Sequence, residues 1–155
     1  MAKHPQKPRP AIRNKRARHD YHILETVETG IVLTGSEVKS LRGGKASLEE
    51  AFARIDEGEV YLIGCTIQTY APATDRNHDP VRKRKLLLHR REIRKLLSKV
   101  RQTGHTLVPL SLFFNRRGLA KVDLALVKGK THADKRESIK KREHQRDIDR
   151  AMRRR

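Results

Sequence analysis

The segment TLVPLSLFF (106–114), followed by NRRG (115–118) and LAKVDLALVK (119–128), decides the fold class. Both arms alternate: Leu110, Leu112 and Phe114 share one side of an extended chain, as do Val122, Leu124 and Leu126. A period of two marks a strand with one buried face. Asn115-Arg116-Arg117-Gly118 has turn chemistry, so the segment reads as an antiparallel hairpin.

Upstream the same logic recurs. Leu48–Ile55 and Glu59–Ile67 predict a hairpin around Asp56-Glu57-Gly58. Tyr21–Glu28 and Ile31–Gly35 predict two strands joined around Thr29-Gly30, and Glu37–Leu41 a short helical turn stopped by Gly43-Gly44. Residues 71–82, with Pro72, Asn77, Asp79 and Pro80, read as a loop. One long helix is expected from His89 to Thr103, because Ile93, Leu96, Leu97 and Val100 recur at helical spacing before Gly104. Short antiparallel hairpins interrupted by one helix predict a mainly β fold with helices. The expected form is a small closed or nearly closed β-barrel, of which the oligonucleotide-binding-like fold is the commonest.

Charge divides the chain. Its 155 residues hold 37 Lys/Arg against 18 Asp/Glu, a formal net charge of +19, and only 35% are hydrophobic. Such an excess creates a long-range positive field that favours a polyanionic partner. Residues 1–19 carry seven Lys/Arg, no acid and three prolines, and read as a mostly disordered basic arm. The middle, 20–128, holds nearly all the aliphatic and β-branched residues and is the expected folded part. Residues 129–155 carry eleven Lys/Arg against five acids, and only Ile139, Ile148 and Met152 could bury anything. An isolated helix of that length is marginal in water, so the tail is expected to be disordered alone and helical against a polyanion.

No apolar run approaches the roughly 20 residues that span a bilayer, and no stretch resembles a signal peptide. A lone Cys65 fits a reducing cytoplasm and reads as a small buried hydrophobe. Catalytic patterns are weak. Ser36-Glu37-Val38-Lys39 has Ser-x-x-Lys letters without companion motifs, and Gly43-Gly44-Lys45 lacks the upstream glycine of a phosphate loop. His19 and His22 straddle a junction, so no metal and no cofactor is expected, nor enzymatic activity. The basic run survives: ten Lys/Arg lie between residues 82 and 101 against the single acid Glu92. Phosphate contacts give affinity and position. Six scattered aromatics favour recognition of a folded RNA by shape over stacking on unpaired bases.

Several strings in register resemble the SmpB family, the SsrA-binding (transfer-messenger-RNA-binding) proteins. They are Asn14 to Tyr21 (NKRARHDY), Glu28-Thr29-Gly30, Gly35 to Arg42 (GSEVKSLR), Asp79 to His89 (DPVRKRKLLLH), Lys128-Gly129-Lys130 and Asp134-Lys135-Arg136. The resemblance covers about residues 12–150. The resulting division is a flexible arm at 1–11, an RNA-binding barrel at 12–130 and a basic tail at 131–155.

The resemblance implies binding to the tRNA-like domain of transfer-messenger RNA at its elbow and delivery to stalled ribosomes for trans-translation. The tail would act in the small-subunit decoding region and mRNA channel and become helical there, with the large subunit also a neighbour. Elongation factor Tu and alanyl-tRNA synthetase would be partners only through the RNA, and no membrane is involved. A general structural rRNA-binding or ribosomal protein is the alternative. RNA-binding positions implied by the match are Asn14, Lys15, Arg16, Glu28, Lys39, Arg42, Lys45, Arg84, Lys85, Leu87, His89, Lys121 and Lys128. Lys130, His132, Asp134, Lys135, Arg136, Lys140, Lys141 and Arg142 would belong to the ribosome-binding tail. Two departures stand out: Ser36 replaces a large residue common in the family, and Ala133 rather than an aromatic or His directly precedes Asp134.

Overall fold

A computed structural model describes residues 12–153; the expected arm at 1–11 lies outside the described residues. The deciding hairpin is present as β8 (His105–Phe114) and β9 (Ala120–Gly129), antiparallel with Leu107 opposite Leu126 and Leu112 opposite Val122. Before it come β1 (Ile12–Arg13), α1 (Ala17–Asp20), β2 (Tyr21–Ile31), α2 (Gly35–Arg42), β3 (Ala46–Ser47), β4 (Phe52–Asp56) and β5 (Glu59–Ile63). β6 (Thr66–Ile67), β7 (Arg84–Leu87) and α3 (Arg90–Val100) complete the barrel portion, and α4 (His132–Arg153) is the tail.

The ladders run β8-β4-β5-β7-β2-β9, and β9 pairs back onto β8. Six antiparallel strands therefore close on themselves, which removes exposed edges. β1 adds to β8 at Leu112 and Ser111, and β3 pairs with β6 as a separate short ribbon. Inside the ring Val60, Leu62, Leu86, Leu107, Leu112, Val122 and Leu124 are fully or almost fully buried. α2 contributes Leu41, and α3 lays Leu96, Ile93 and Val100 on the same core. Each fully buried aliphatic side chain stabilises by about 1.5–3 kcal/mol.

β9 has a second buried face. Ala125 and Val127 join Ala17, Val108, Tyr21, Ile23 and Leu110 in an outer cluster on the opposite side of the sheet. Residues 12–19, read from charge as part of a disordered arm, are ordered here: Ile12 is buried against the main core and α1 caps the outer cluster.

Other expectations are corrected. Thr29-Gly30 is no turn; β2 is one continuous strand of eleven residues. Thr29 is buried and donates its hydroxyl to the Val122 carbonyl (3.3 Å), while Gly30 pairs with Lys121 on one side and Leu87 on the other. A Cβ at Gly30 would lie 3.1 Å from the Leu87 Cβ, so this glycine serves close strand approach rather than chain reversal. Leu110 does not share a face with Leu112 and Phe114. The register shifts between Pro109 and Ser111, leaving Leu110 as an extra residue that joins the outer cluster. Proline lacks the N–H that a continuous ladder needs there, and such positions favour a bulge.

Residues His132–Arg153 form a helix with no buried residue. The Asp134 carboxylate accepts from the Thr131 N–H (3.0 Å) and hydroxyl (2.8 Å), and the Thr131 hydroxyl accepts from the Asp134 N–H (3.3 Å). That reciprocal cap satisfies two backbone N–H groups at the start of the helix. Lys135 lies 3.5 Å from Asp20, His22 3.5 Å from Asp134, and Lys130 donates to the Arg18 carbonyl (2.9 Å), tying the turn to the barrel.

Candidate nucleic-acid interface

Cross-strand register gathers part of the expected site. Gly30 of β2 faces both Lys121 of β9 and Leu87 of β7, and Glu28 lies two residues back opposite Asp123. Residues directly opposite share a face of the sheet. Glu28, Leu87 and Lys121 therefore form one outward row, with Glu28 exposed and Leu87 52% exposed over the small Gly30. Lys85 extends the row along β7, two residues before Leu87, and holds Glu59 at 2.6 Å. That contact lowers the pKa of Glu59 below its usual value and raises that of Lys85. His89, exposed, follows as the cap of α3, where Glu92 accepts from its backbone N–H at 2.8 Å.

α3, packed on the core through Ile93, Leu96 and Val100, also carries ion pairs to β2. Lys95 (2.6 Å) and Lys99 both bond the carboxylate of Glu25, and the Lys95 bond leads in depressing its pKa. The β2 bulge at Leu24 makes this possible, since it turns Glu25 toward the barrel mouth. This tether is not legible from spacing, because Glu25 is 70 residues from Lys95.

Two expected RNA contacts are corrected. Arg84 is completely buried: its Nε donates to Glu37 (2.9 Å) and its other nitrogens to the carbonyls of Cys65 (2.7 Å), Arg82 (3.0 Å) and Pro80 (3.1 Å). Asn14 is buried as well, donating to the Leu48 and Pro109 carbonyls at 3.0 Å and accepting from the Ala17 N–H at 3.1 Å. Both side chains hold segments together and reach no surface.

Glu37 is the centre of the buried network. It also accepts from Arg82 (2.7 and 2.6 Å) and from the Thr34 N–H (2.8 Å), closing the cap of α2. Burial alone pushes its carboxyl up; the bonds from Arg82, Thr34 and Arg84 outweigh that and hold it at about 2. Burial likewise pushes the Cys65 thiol up to about 11, consistent with an inert core residue.

Other expected positions lie elsewhere on the surface. Lys39, Arg42 and Lys45 are exposed on and after α2, where Lys39 stands over the Tyr70 ring (5.3 Å) and Arg42 over Phe114 (5.6 Å). Lys15 and Arg16 are exposed before α1, and Lys128 lies opposite His22 and His105 near the base of the tail. In the tail, Lys130, Asp134 and Lys135 are occupied by barrel contacts, whereas His132, Arg136, Lys140, Lys141 and Arg142 are exposed. Among the described residues no group of three His, Cys, Asp or Glu could hold a metal, and no helix is long and apolar enough to cross a membrane.

The family model described as SmpB protein matches residues 11–154. The chain belongs to the SmpB family. Relatives named SsrA-binding protein agree along nearly the whole length. The one from Thermobifida fusca is 57% identical over 150 residues, 97% of this chain and 93% of the relative. That from Acidothermus cellulolyticus is 60% identical over 142 residues, 92% and 89% of the two chains. Among solved structures, a chain described as "tmRNA-SmpB: a journey to the center of the bacterial ribosome" superposes with a TM-score of 0.67. It is 53% identical and covers 83% of this chain and 93% of its own. The mainly antiparallel barrel with helices is thus the architecture of an SmpB relative, as the sequence led one to expect.

Proposed function

We propose that this chain binds the tRNA-like domain of transfer-messenger RNA and carries it into stalled ribosomes for trans-translation, with the RNA supplying the tagging template. The observation that carries this reading is the SmpB match over residues 11–154, which spans both barrel and tail. The outward row of Glu28, Leu87 and Lys121 on an otherwise cationic protein supports a folded RNA as ligand. Cations bind phosphates without regard to sequence, whereas the Glu28 carboxylate repels phosphate and accepts only from N–H or O–H donors of bases and sugars. The barrel is of oligonucleotide-binding type and grips the elbow of the RNA. The exposed cations of α4 enter the decoding region and mRNA channel. Elongation factor Tu and alanyl-tRNA synthetase meet the protein only through the RNA, the protein catalyses no covalent step, and it works in the cytoplasm.

Competition binding at moderate salt tests the first half. Preference for the tRNA-like domain over rRNA fragments is expected, with Glu28→Ala reducing affinity while the melting temperature holds. Equal affinity for both RNAs points instead to a general rRNA-binding protein. Deleting 131–155 should leave RNA binding near the parent value yet abolish tagging on stalled ribosomes; full tagging by the deletion removes the role given to the tail.

A further inference from the structure

A groove of about 510 Å³ lies between the β4–β5 turn, β7 and the first turns of α3. Its lining includes Leu87 and Ile93, the cations Lys85, Arg90 and Arg94, and the acids Glu57 and Glu59 at the turn. Volumes of about 300–1,000 Å³ suit single small ligands, and this space is in that range. Among the described residues Arg90, Arg94 and Glu57 form no ion pair, whereas Lys85 is paired with Glu59, which also lines the groove, and Lys95 and Lys99 with Glu25. The packing of Ile93, Leu96 and Val100 on the core sets the roll of α3 and with it the presentation of Arg90 and Arg94, with Lys95 and Lys99 adding partly exposed ion pairs to Glu25.

The geometry points to a subsite for one unstacked guanine nucleotide of the bound RNA. Its phosphate lies between Arg90 and Arg94, its base rests on Leu87 and Ile93, and its N–H edge faces the Glu57 carboxylate. Guanine alone among the four bases presents two adjacent donors, N1–H and N2–H, that match two carboxylate oxygens. Bases of single-stranded loops are read in this way on their Watson–Crick edges. The subsite rests on the RNA-binding reading above and adds a base preference to it.

Titration of the isotope-labelled full-length chain with GMP, and separately with inorganic phosphate, tests the subsite by NMR. GMP is expected to shift the amides of residues 57–59 and 87–94 saturably, and phosphate only those of residues 90–94. Glu57→Gln should weaken GMP about tenfold, the worth of one bidentate base contact, and leave phosphate unchanged. The Arg90→Ala, Arg94→Ala double variant should lose both. Equal GMP affinity in Glu57→Gln, or GMP shifts indistinguishable from those of phosphate, overturns the subsite. With the tRNA-like RNA, parent-level affinity in both variants overturns the groove alone, while absence of any preference in the parent chain overturns the RNA-binding reading itself.

Discussion

Replacing Glu37 by Gln isolates one buried charge. The side chain keeps its shape, and Gln still closes a helix cap, so α2 should start where it does now. What disappears is the counter-charge of Arg84, which is fully buried, and of Arg82. The folded carboxyl sits at about 2 against an ordinary 4.5. At 1.36 kcal/mol per pK unit, that difference is worth about 3 kcal/mol of stability at neutral pH. The folded value lies below the unfolded one, so the contribution is complete above pH 4.5 and fades as the pH falls toward 2. A protonated Glu37 and the substituted amide are then near equivalents. Melts followed by far-ultraviolet circular dichroism should place the variant about 6–12 °C below the parent at pH 7, taking about 2–4 °C per kcal/mol for a chain of this size. The gap should close progressively between pH 5 and pH 2.5. A gap that stays constant over this range, or its absence at pH 7, would show that the network does not stabilise the fold through charge.

Two further changes have defined outcomes. Gly64→Ala places a Cβ 2.6 Å from the Glu50 carbonyl oxygen at a residue with φ of +75°, so denaturant unfolding should show a loss of at least about 2 kcal/mol, and a smaller loss would mean that the Glu50 backbone can yield. Asp134→Ala removes the reciprocal cap of α4 and its contact with His22, which should cost the helix about 1 kcal/mol and speed amide exchange over residues 132–138; unchanged exchange would show that the cap does not hold the start of the helix.

The barrel was legible where burial is one-sided. Val122, Leu124 and Leu126 of β9 alternate toward the core, as do Leu112 and Phe114 of β8, and the Asp56-Glu57-Gly58 turn announces β4 and β5 by its residue types. β7 stayed hidden. Its inward residues are Arg84 and Leu86, and an arginine reads as surface unless its partner is known. That partner, Glu37, is 47 residues away and is itself disguised as an ordinary first-turn helix acid. The same long-range pairing removed Arg84 and Asn14 from the surface, whereas positions such as Glu28 and Lys39 needed no distant partner and are exposed as expected.

The unpaired Leu110 divides β8 into two halves in opposite phase, so the strand serves the inner core twice and the outer cluster between. Loss of a single codon there would join Pro109 to Ser111 in unbroken register with β9 and leave Leu107 and Leu112 facing the core; what would go is the bulge itself, the Leu110 side chain of the outer cluster and the carbonyl that accepts from the Asn14 N–H.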